Sequence, residues 1–214
     1  MSASFSIGGV GLCSQYVRTS IDIKKRGTEI TKRDTKEVIE KAELLFAEKY
    51  LNKKILHVIP ISYRVDSRDV LGSPVGMFGS QLEVKIIMVT VPEHHYEALI
   101  TTIEAAGISI EDVVAAPIAD AHASLSYEQK KQGSVLVNIG SETTQISTYE
   151  QGILSSLKVI PLGSSDITND LALGLQIPIK EAQLVKHGKN NDFSVKQVTN
   201  IKEARLTDII ESVE

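Results

Sequence analysis

The 214-residue chain reads as an α/β protein in two parts, and three observations carry that reading. Apolar residues recur at helical spacing in several segments, as at Val38, Ala42 and Phe46. Between those segments lie strand-like runs such as Lys54–Pro60 and Leu82–Val91. Near Ala115 to Ala119 a strand gives way to a proline-opened helix, and there the chain divides.

Composition narrows the function classes. At 42% hydrophobic and 23% charged the chain is of ordinary soluble, globular type. A net charge of −4 with no basic block offers nucleic acid no electrostatic footprint. Few aromatic residues and no Trp argue against base stacking. Cys13 stands alone, so no internal disulfide can form, which suits a reducing compartment. Met1–Val10, with Gly8 and Gly9, is neither a signal peptide nor long enough to span a bilayer, and no later run is.

The elements follow in order. Ser4–Tyr16 reads as strand, turn and strand. Thr31–Lys49 is a helix with a Thr31/Asp34 start like a capping box, a motif that usually carries Glu or Gln at its third position. Val38, Ile39, Ala42, Leu45 and Phe46 fall on one face. Lys54–Pro60 is a short strand, followed by a second piece over Tyr63–Asp66. Gly72-Ser73-Pro74-Val75-Gly76-Met77-Phe78-Gly79 is turn-rich and lacks the lysine and following helix of a Walker-type loop. Leu82–Val91 is a strand with one end deeply buried. Pro92 opens a helix whose buried face is Leu99, Ile100, Ile103 and Ala106, ended by Gly107. Ile108–Val114 is a strand, and Pro117 starts an alanine-rich helix to about Lys131. Beyond Gly163 comes a helix with Ser164 and Ser165 as candidate caps and Leu171, Ala172 and Leu175 as its apolar face. Pro178 to His187 is the next helix, with Gly188 past its end and a polar turn at Asn190-Asn191-Asp192. Val198–Val213 is the last, with Ile201, Leu206, Ile209, Ile210 and Val213 as apolar contacts.

The segment Ser134–Gly163 carries the chemistry. An apolar strand over Val135–Val137 breaks at Asn138-Ile139-Gly140-Ser141-Glu142-Thr143-Thr144, doubles back, turns at Gln151-Gly152 and ends at Pro161-Leu162-Gly163. Gly140 permits close backbone approach, and successive amides with nearby hydroxyls can cradle a phosphate chain. An ordinary hairpin whose turn contains Gly, Ser and Thr accounts for the same residues.

Several ordered matches make the chain resemble the FtsA family of actin-like bacterial cell-division proteins. Lys54–Pro60 with Tyr63, Val65 and Asp66, then Ser73-Pro74-Val75-Gly76-Met77 with Gly79, Leu82 and Glu83, resemble a strand and loop of that family's inserted subdomain. Ala116-Pro117-Ile118-Ala119 with Ala121 and Ala123 is similar to the helix feeding its second phosphate loop. Val137-Asn138-Ile139-Gly140 with Thr143-Thr144 stands where the family has D-I-G-G-G-T-T. Pro161-Leu162-Gly163, Ile167-Thr168 and Asp170-Leu171-Ala172 resemble its P-V-G-G, I-T and D-I-A run, and Ala182-Gln183 with Lys186 its A-E-x-x-K.

The resemblance implies an α+β inserted subdomain over residues 1–115 and a partial actin-like ATPase-fold domain over 116–214. It implies a nucleotide site of Asn138, Gly140, Ser141, Glu142, Thr143, Thr144, Gln183 and Lys186, holding ATP and Mg²⁺. It further implies self-association, partnership with FtsZ and other divisome proteins, and residence at the cytoplasmic face of the plasma membrane at the division site.

Departures from the pattern temper the activity. Ser20-Ile21-Asp22-Ile23-Lys24 has no glycine after its acid, so the family's first phosphate loop is missing. No counterpart to the FtsZ-binding subdomain or the membrane helix is found, and a fragment is expected in preference to a gene that has lost both ends. Asn138 replaces the aspartate that would orient metal-bound water, and Ser141 and Glu142 replace glycines. A carboxylate ~4 Å from a phosphate oxygen repels it by about 1–4 kcal/mol. Gln183 replaces a ribose-binding glutamate but keeps an acceptor. The expectation is a scaffold with weak ATP binding and no catalytic residue, an ATPase at most. The alternatives are a PilM-like component of pilus assembly and an actin-fold ATPase or kinase relative.

The remaining candidates read as structural. His94-His95 has no third ligand nearby, His57 lies in a strand, and His187 sits near a helix C-terminus. Lys24-Lys25-Arg26 reads as a solvated turn.

Overall fold

The computed structural model describes residues 2–23, 28–190 and 192–213; the Lys24-Lys25-Arg26 turn and Asn191 lie outside the described residues. Two compact units emerge, one of Met1–Ser134 with Ser147–Leu157, the other of Val135–Ile146 with Lys158–Glu214. This division falls elsewhere than the break at Ala115–Ala119 read from the sequence.

In the first unit, β1 (Ser2–Ile7) pairs in parallel with β8 (Ser109–Ala115). The main sheet is built on β7 (Gln81–Pro92), which lies between β2 (Cys13–Asp22) and β4 (Lys53–Val65), antiparallel to both. β5 (Arg68–Val70) adds to the far end of β4 through Tyr63, Arg64 and Val65 only. The unit's portions of β11 (Ile153–Ile160) and β10 (Thr144–Glu150) extend the sheet beyond β2. The two strand pieces expected over Lys54–Pro60 and Tyr63–Asp66 are one strand. Register shifts between Ile55 and His57 and between Pro60 and Ser62 let it pass a proline, the geometry in which a strand tolerates a missing donor.

The helix α1 (Lys32–Lys49) covers one face of this sheet. Thr31 caps it: its hydroxyl accepts the Asp34 amide at 3.3 Å, and its own amide donates to the Asp34 carboxylate at 2.8 Å. Aspartate therefore completes the box in place of Glu or Gln, and the hydrogen bond from the Thr31 hydroxyl holds its carboxyl below the usual range. Val38, Ala42 and Phe46 are buried against Leu82, Val84, Ile86 and Met88. Leu45 is 41% exposed, since the buried stripe advances by fours through 38, 42 and 46. A small ladder of β3 (Thr28–Glu29) and β6 (Phe78–Gly79) pins the Pro74–Gly79 loop, reinforced by Ile30 donating to Met77 O and Gly76 donating to Ile30 O.

Next come α2 (Glu93–Ala105), of which only Ile103 is fully buried, and then β8. The single helix expected from Pro117 to Lys131 is two, α3 (Ala116–Ser124) and α4 (Tyr127–Gln132). Ser126 breaks it by starting a second capping box with Gln129.

The second unit holds Val135–Ile139 of β9 (Ser134–Ile139), the remaining portions of β10 and β11, and three helices. β9 is the outermost strand, beside β10. The helices α5 (Ser164–Leu175), α6 (Ile179–Lys186) and α7 (Val195–Glu211) pack through Ile167, Leu171 and Ala182, with Leu175, Val198 and Ile201 around them. A two-pronged ion pair from Arg205 to Asp170, at 2.6 and 3.0 Å, ties α7 to α5. Of the apolar contacts expected on α7, Ile209 is fully buried, whereas Leu206 and Ile210 are 39% and 59% exposed.

Candidate functional site

The hairpin between β9 and β10 closes through one backbone bond, Gly140 N–H to Thr143 O at 2.9 Å. That leaves Ser141 and Glu142 at the tip, both exposed. The tip packs against the start of α5. Ser164 N–H donates to Gly140 O at 2.9 Å and Ser165 N–H to Ser141 O at 2.7 Å, while the Ser141 and Ser165 hydroxyls meet at 2.6 Å. Gly163 caps α5, its amide held by the Asp166 carboxylate at 2.8 Å, so the cap is this pair and not the serines expected from sequence.

The closest backbone approach is at Gly163, not Gly140. A Cβ on Gly163 would lie 2.4 Å from Ser141 O and 2.8 Å from the Glu142 nitrogen, whereas one on Gly140 would meet only Thr143 O, at 3.0 Å. Sequence reading singled out Gly140 because it sits in the loop. Gly163 is 23 positions away and becomes critical only once the helix is docked.

The amides of Gly140, Gly163, Ser164 and Ser165 are consumed internally, while among the described residues no backbone acceptor takes those of Ser141, Glu142 and Thr143. Three successive N–H groups, with the two serine hydroxyls beside them, are the donor set a phosphate requires. The other expected residues are placed differently. Thr144 is fully buried and donates its hydroxyl to Leu162 O at 2.8 Å, so it braces the hairpin from beneath. Lys186 donates to Ser164 O and to the Thr168 hydroxyl, and its ammonium is tied into the protein. Burial, followed by the nearby Lys202, pushes its pKa below the ordinary lysine value. Gln183, three residues before it on α6, is exposed. Asn138 is exposed on β9. Lys186, Thr168 and Ser165 are joined through one helix start, an association the sequence showed only as separate short matches.

Among the described residues no three His, Cys, Asp or Glu side chains gather as for a metal ion. His94 and His95 stack edge to face at 4.3 Å. His57 is half-buried, and its Nε2 accepts the Ala115 amide at 3.0 Å, a role its place in a strand did not disclose. No helix of the described residues is long and apolar enough to cross a membrane.

The chain has the mixed α/β architecture of the actin-like ATPase-fold class. The fold agrees with that of a solved PilM-PilN type IV pilus biogenesis complex, at a TM-score of 0.64 over 98% of this chain and 56% of that one, with 16% identity. Two family profiles then match in order: the SHS2 domain inserted in FtsA over residues 9–90, and cell division protein FtsA over residues 135–211. The chain belongs to the FtsA family. It is 30% identical to cell division protein FtsA of Bacillus subtilis (strain 168), over 95% of this chain and 52% of that protein. Against cell division protein FtsA of Pseudomonas aeruginosa the identity is 26%, over 83% of this chain and 43% of the relative. The chain thus spans about half the length of these curated relatives.

Proposed function

We propose that this chain serves as an actin-like scaffold of bacterial cell division. In that reading it self-associates and works beside FtsZ and other divisome proteins at the cytoplasmic face of the membrane. The observation that carries the reading is the ordered pair of family matches, an inserted SHS2 domain followed by the FtsA domain, along one chain. The likeness to a pilus-assembly complex extends to fold alone at 16% identity. In this reading residues 1–115, with the hydrogen-bonded Pro74–Gly79 loop, are the protein-contacting lobe, and residues 116–214 descend from the nucleotide domain.

The hairpin fits a nucleotide phosphate only in part. The amides of Ser141, Glu142 and Thr143 would face the phosphate, and the Ser141 hydroxyl would donate to it. Against them stand the exposed Glu142 carboxylate in the same turn and a Lys186 ammonium already committed to Ser164 and Thr168. ATP with Mg²⁺ is therefore held weakly, and no hydrolytic step is assigned. Two-hybrid pairing of the chain with FtsA-type and other division proteins, with pilus-platform proteins in parallel, tests the scaffold reading. Interaction with division components is expected. Signal confined to pilus components would overturn it.

A further inference from the structure

Lys202, on α7, donates from its ammonium to the carbonyl of Lys186 at 2.8 Å. Lys186 is the last residue of α6, so that oxygen is among those a helix leaves without an internal partner, and a lysine from a neighbouring helix supplies one. The Lys186 ammonium in turn reaches the carbonyl of Ser164 and the Thr168 hydroxyl at the start of α5. From there the Ser164 amide donates to Gly140 O at 2.9 Å, and the Gly140 amide closes the hairpin on Thr143 O at 2.9 Å. The helices α7, α6 and α5 and the β9–β10 hairpin are thus joined by one continuous run of polar contacts, all inside the second unit.

Two observations set Lys202 apart from the general packing of α7. The helix is fastened to α5 independently, by the Arg205–Asp170 pair and by Ile201, whose Cδ1 lies so near Gly174 that a Cβ there would stand 2.7 Å from it. Loss of the Lys202 bond therefore leaves α7 docked. Like charge, moreover, opposes the placement, since burial and then Lys202 lower the pKa of Lys186. The two ammonium groups stay near each other because each is bound to a carbonyl of its own.

We infer that Lys202 is a positioning residue for the β9–β10 hairpin. It fixes the end of α6, which aims the Lys186 ammonium at the start of α5, which keeps the Ser164 amide on Gly140 O. Lys186 then acts on the hairpin through Ser164 and Thr168 instead of by touching a phosphate itself. The use of such positioning rests on the hairpin facing a phosphate, whereas the path of contacts does not.

Hydrogen exchange of the full chain, read without ligand, tests it. In Lys202→Met, which keeps an unbranched stem and loses the donor, the Ser164 and Ser165 amides should exchange roughly fivefold faster, the worth of one net hydrogen bond. Amides in the middle of α7 should keep their rates. Lys202→Gln, a shorter side chain, should act alike, and Lys202→Arg, which restores a long donor, should return the parent rates. Adding Lys202→Met to Lys186→Met should quicken the two serines no further, because the path is already cut. Unchanged exchange at Ser164 and Ser165 in Lys202→Met would overturn the inference. So would rates that multiply in the double variant, or equal quickening at every amide of the second unit. Failure of the phosphate reading would not alter these rates, and failure of the inference would leave that reading standing.

Discussion

Replacing Gly163 with alanine should loosen the hairpin between β9 and β10, and the size of the effect follows from distances. The new Cβ would stand 2.4 Å from Ser141 O, 2.6 Å from its carbonyl carbon and 2.8 Å from the Glu142 nitrogen. Because all three neighbours are backbone, no side chain can swing away, and the hairpin tip must retreat from α5. At φ −157°, ψ −169° Gly163 is in extended backbone open to any residue, so the cost is purely steric. Retreat lengthens the Ser164–Gly140 and Ser165–Ser141 backbone bonds and the contact between the two serine hydroxyls. At roughly 0.5–1.5 kcal/mol net for each of the three hydrogen bonds, the loss is about 1.5–4.5 kcal/mol. Denaturant unfolding should register it, and hydrogen exchange should accelerate at the Ser164 and Ser165 amides specifically. Gly140→Ala, with its single contact at 3.0 Å, should cost visibly less. Equal stability of Gly163→Ala and the parent, with unchanged exchange at those two amides, would refute the reasoning.

Other outcomes follow from the same structure. Phe46→Ala removes a ring that is 1% exposed under the main sheet and should destabilise the first unit by about 3–5 kcal/mol in chemical denaturation. His57 must be neutral to accept the Ala115 amide, and burial lowers its pKa from the ordinary 6.5, with Asp112 acting weakly in the opposite sense. Its contribution is therefore complete above the unfolded value near 6.5 and is lost as pH falls through the lower folded value. Melting temperatures between pH 7.5 and 5 should decline less steeply in His57→Gln than in the parent. Glu142→Gln removes the exposed carboxylate from the hairpin tip and should strengthen the weak binding of a fluorescent ATP analogue by about 1 kcal/mol, roughly fivefold at low salt. Calorimetry that shows saturable micromolar ATP binding by the parent would contradict the partial fit of the hairpin.

Much of the architecture was legible where local chemistry decides it. Thr31, Pro92, Gly107 and the Gln151-Gly152 turn each mark a boundary that the structure keeps. Capping and left-handed backbone positions act within a few residues, so the chain states them directly. Register was not legible. The passage of β4 through Pro60 depends on irregular pairing with Ile86 and Lys85 in β7, which no pattern within β4 discloses. The break at Ser126 was missed because an alanine-rich run hides a local cap. Of the candidate site, the loop residues could be read from glycine and hydroxyl spacing. Asp166, Thr168 and the close contact at Gly163 could not, since they matter only after α5 docks. The engagement of Lys186 with Ser164 and Thr168 is likewise a tertiary fact that its place in a short match does not disclose.

The long strand β4 carries a consequence for how anything could adhere beside it. Among the described residues only Tyr63, Arg64 and Val65 pair with β5, His57 meets the Ala115 amide, and the strand contains a proline and two register shifts. A visiting peptide would find the rungs unevenly spaced and one of them missing, so it could not zip along the backbone. Adhesion there must come from side-chain shape and charge, which discriminates between visitors where a bare ladder would accept any extended chain.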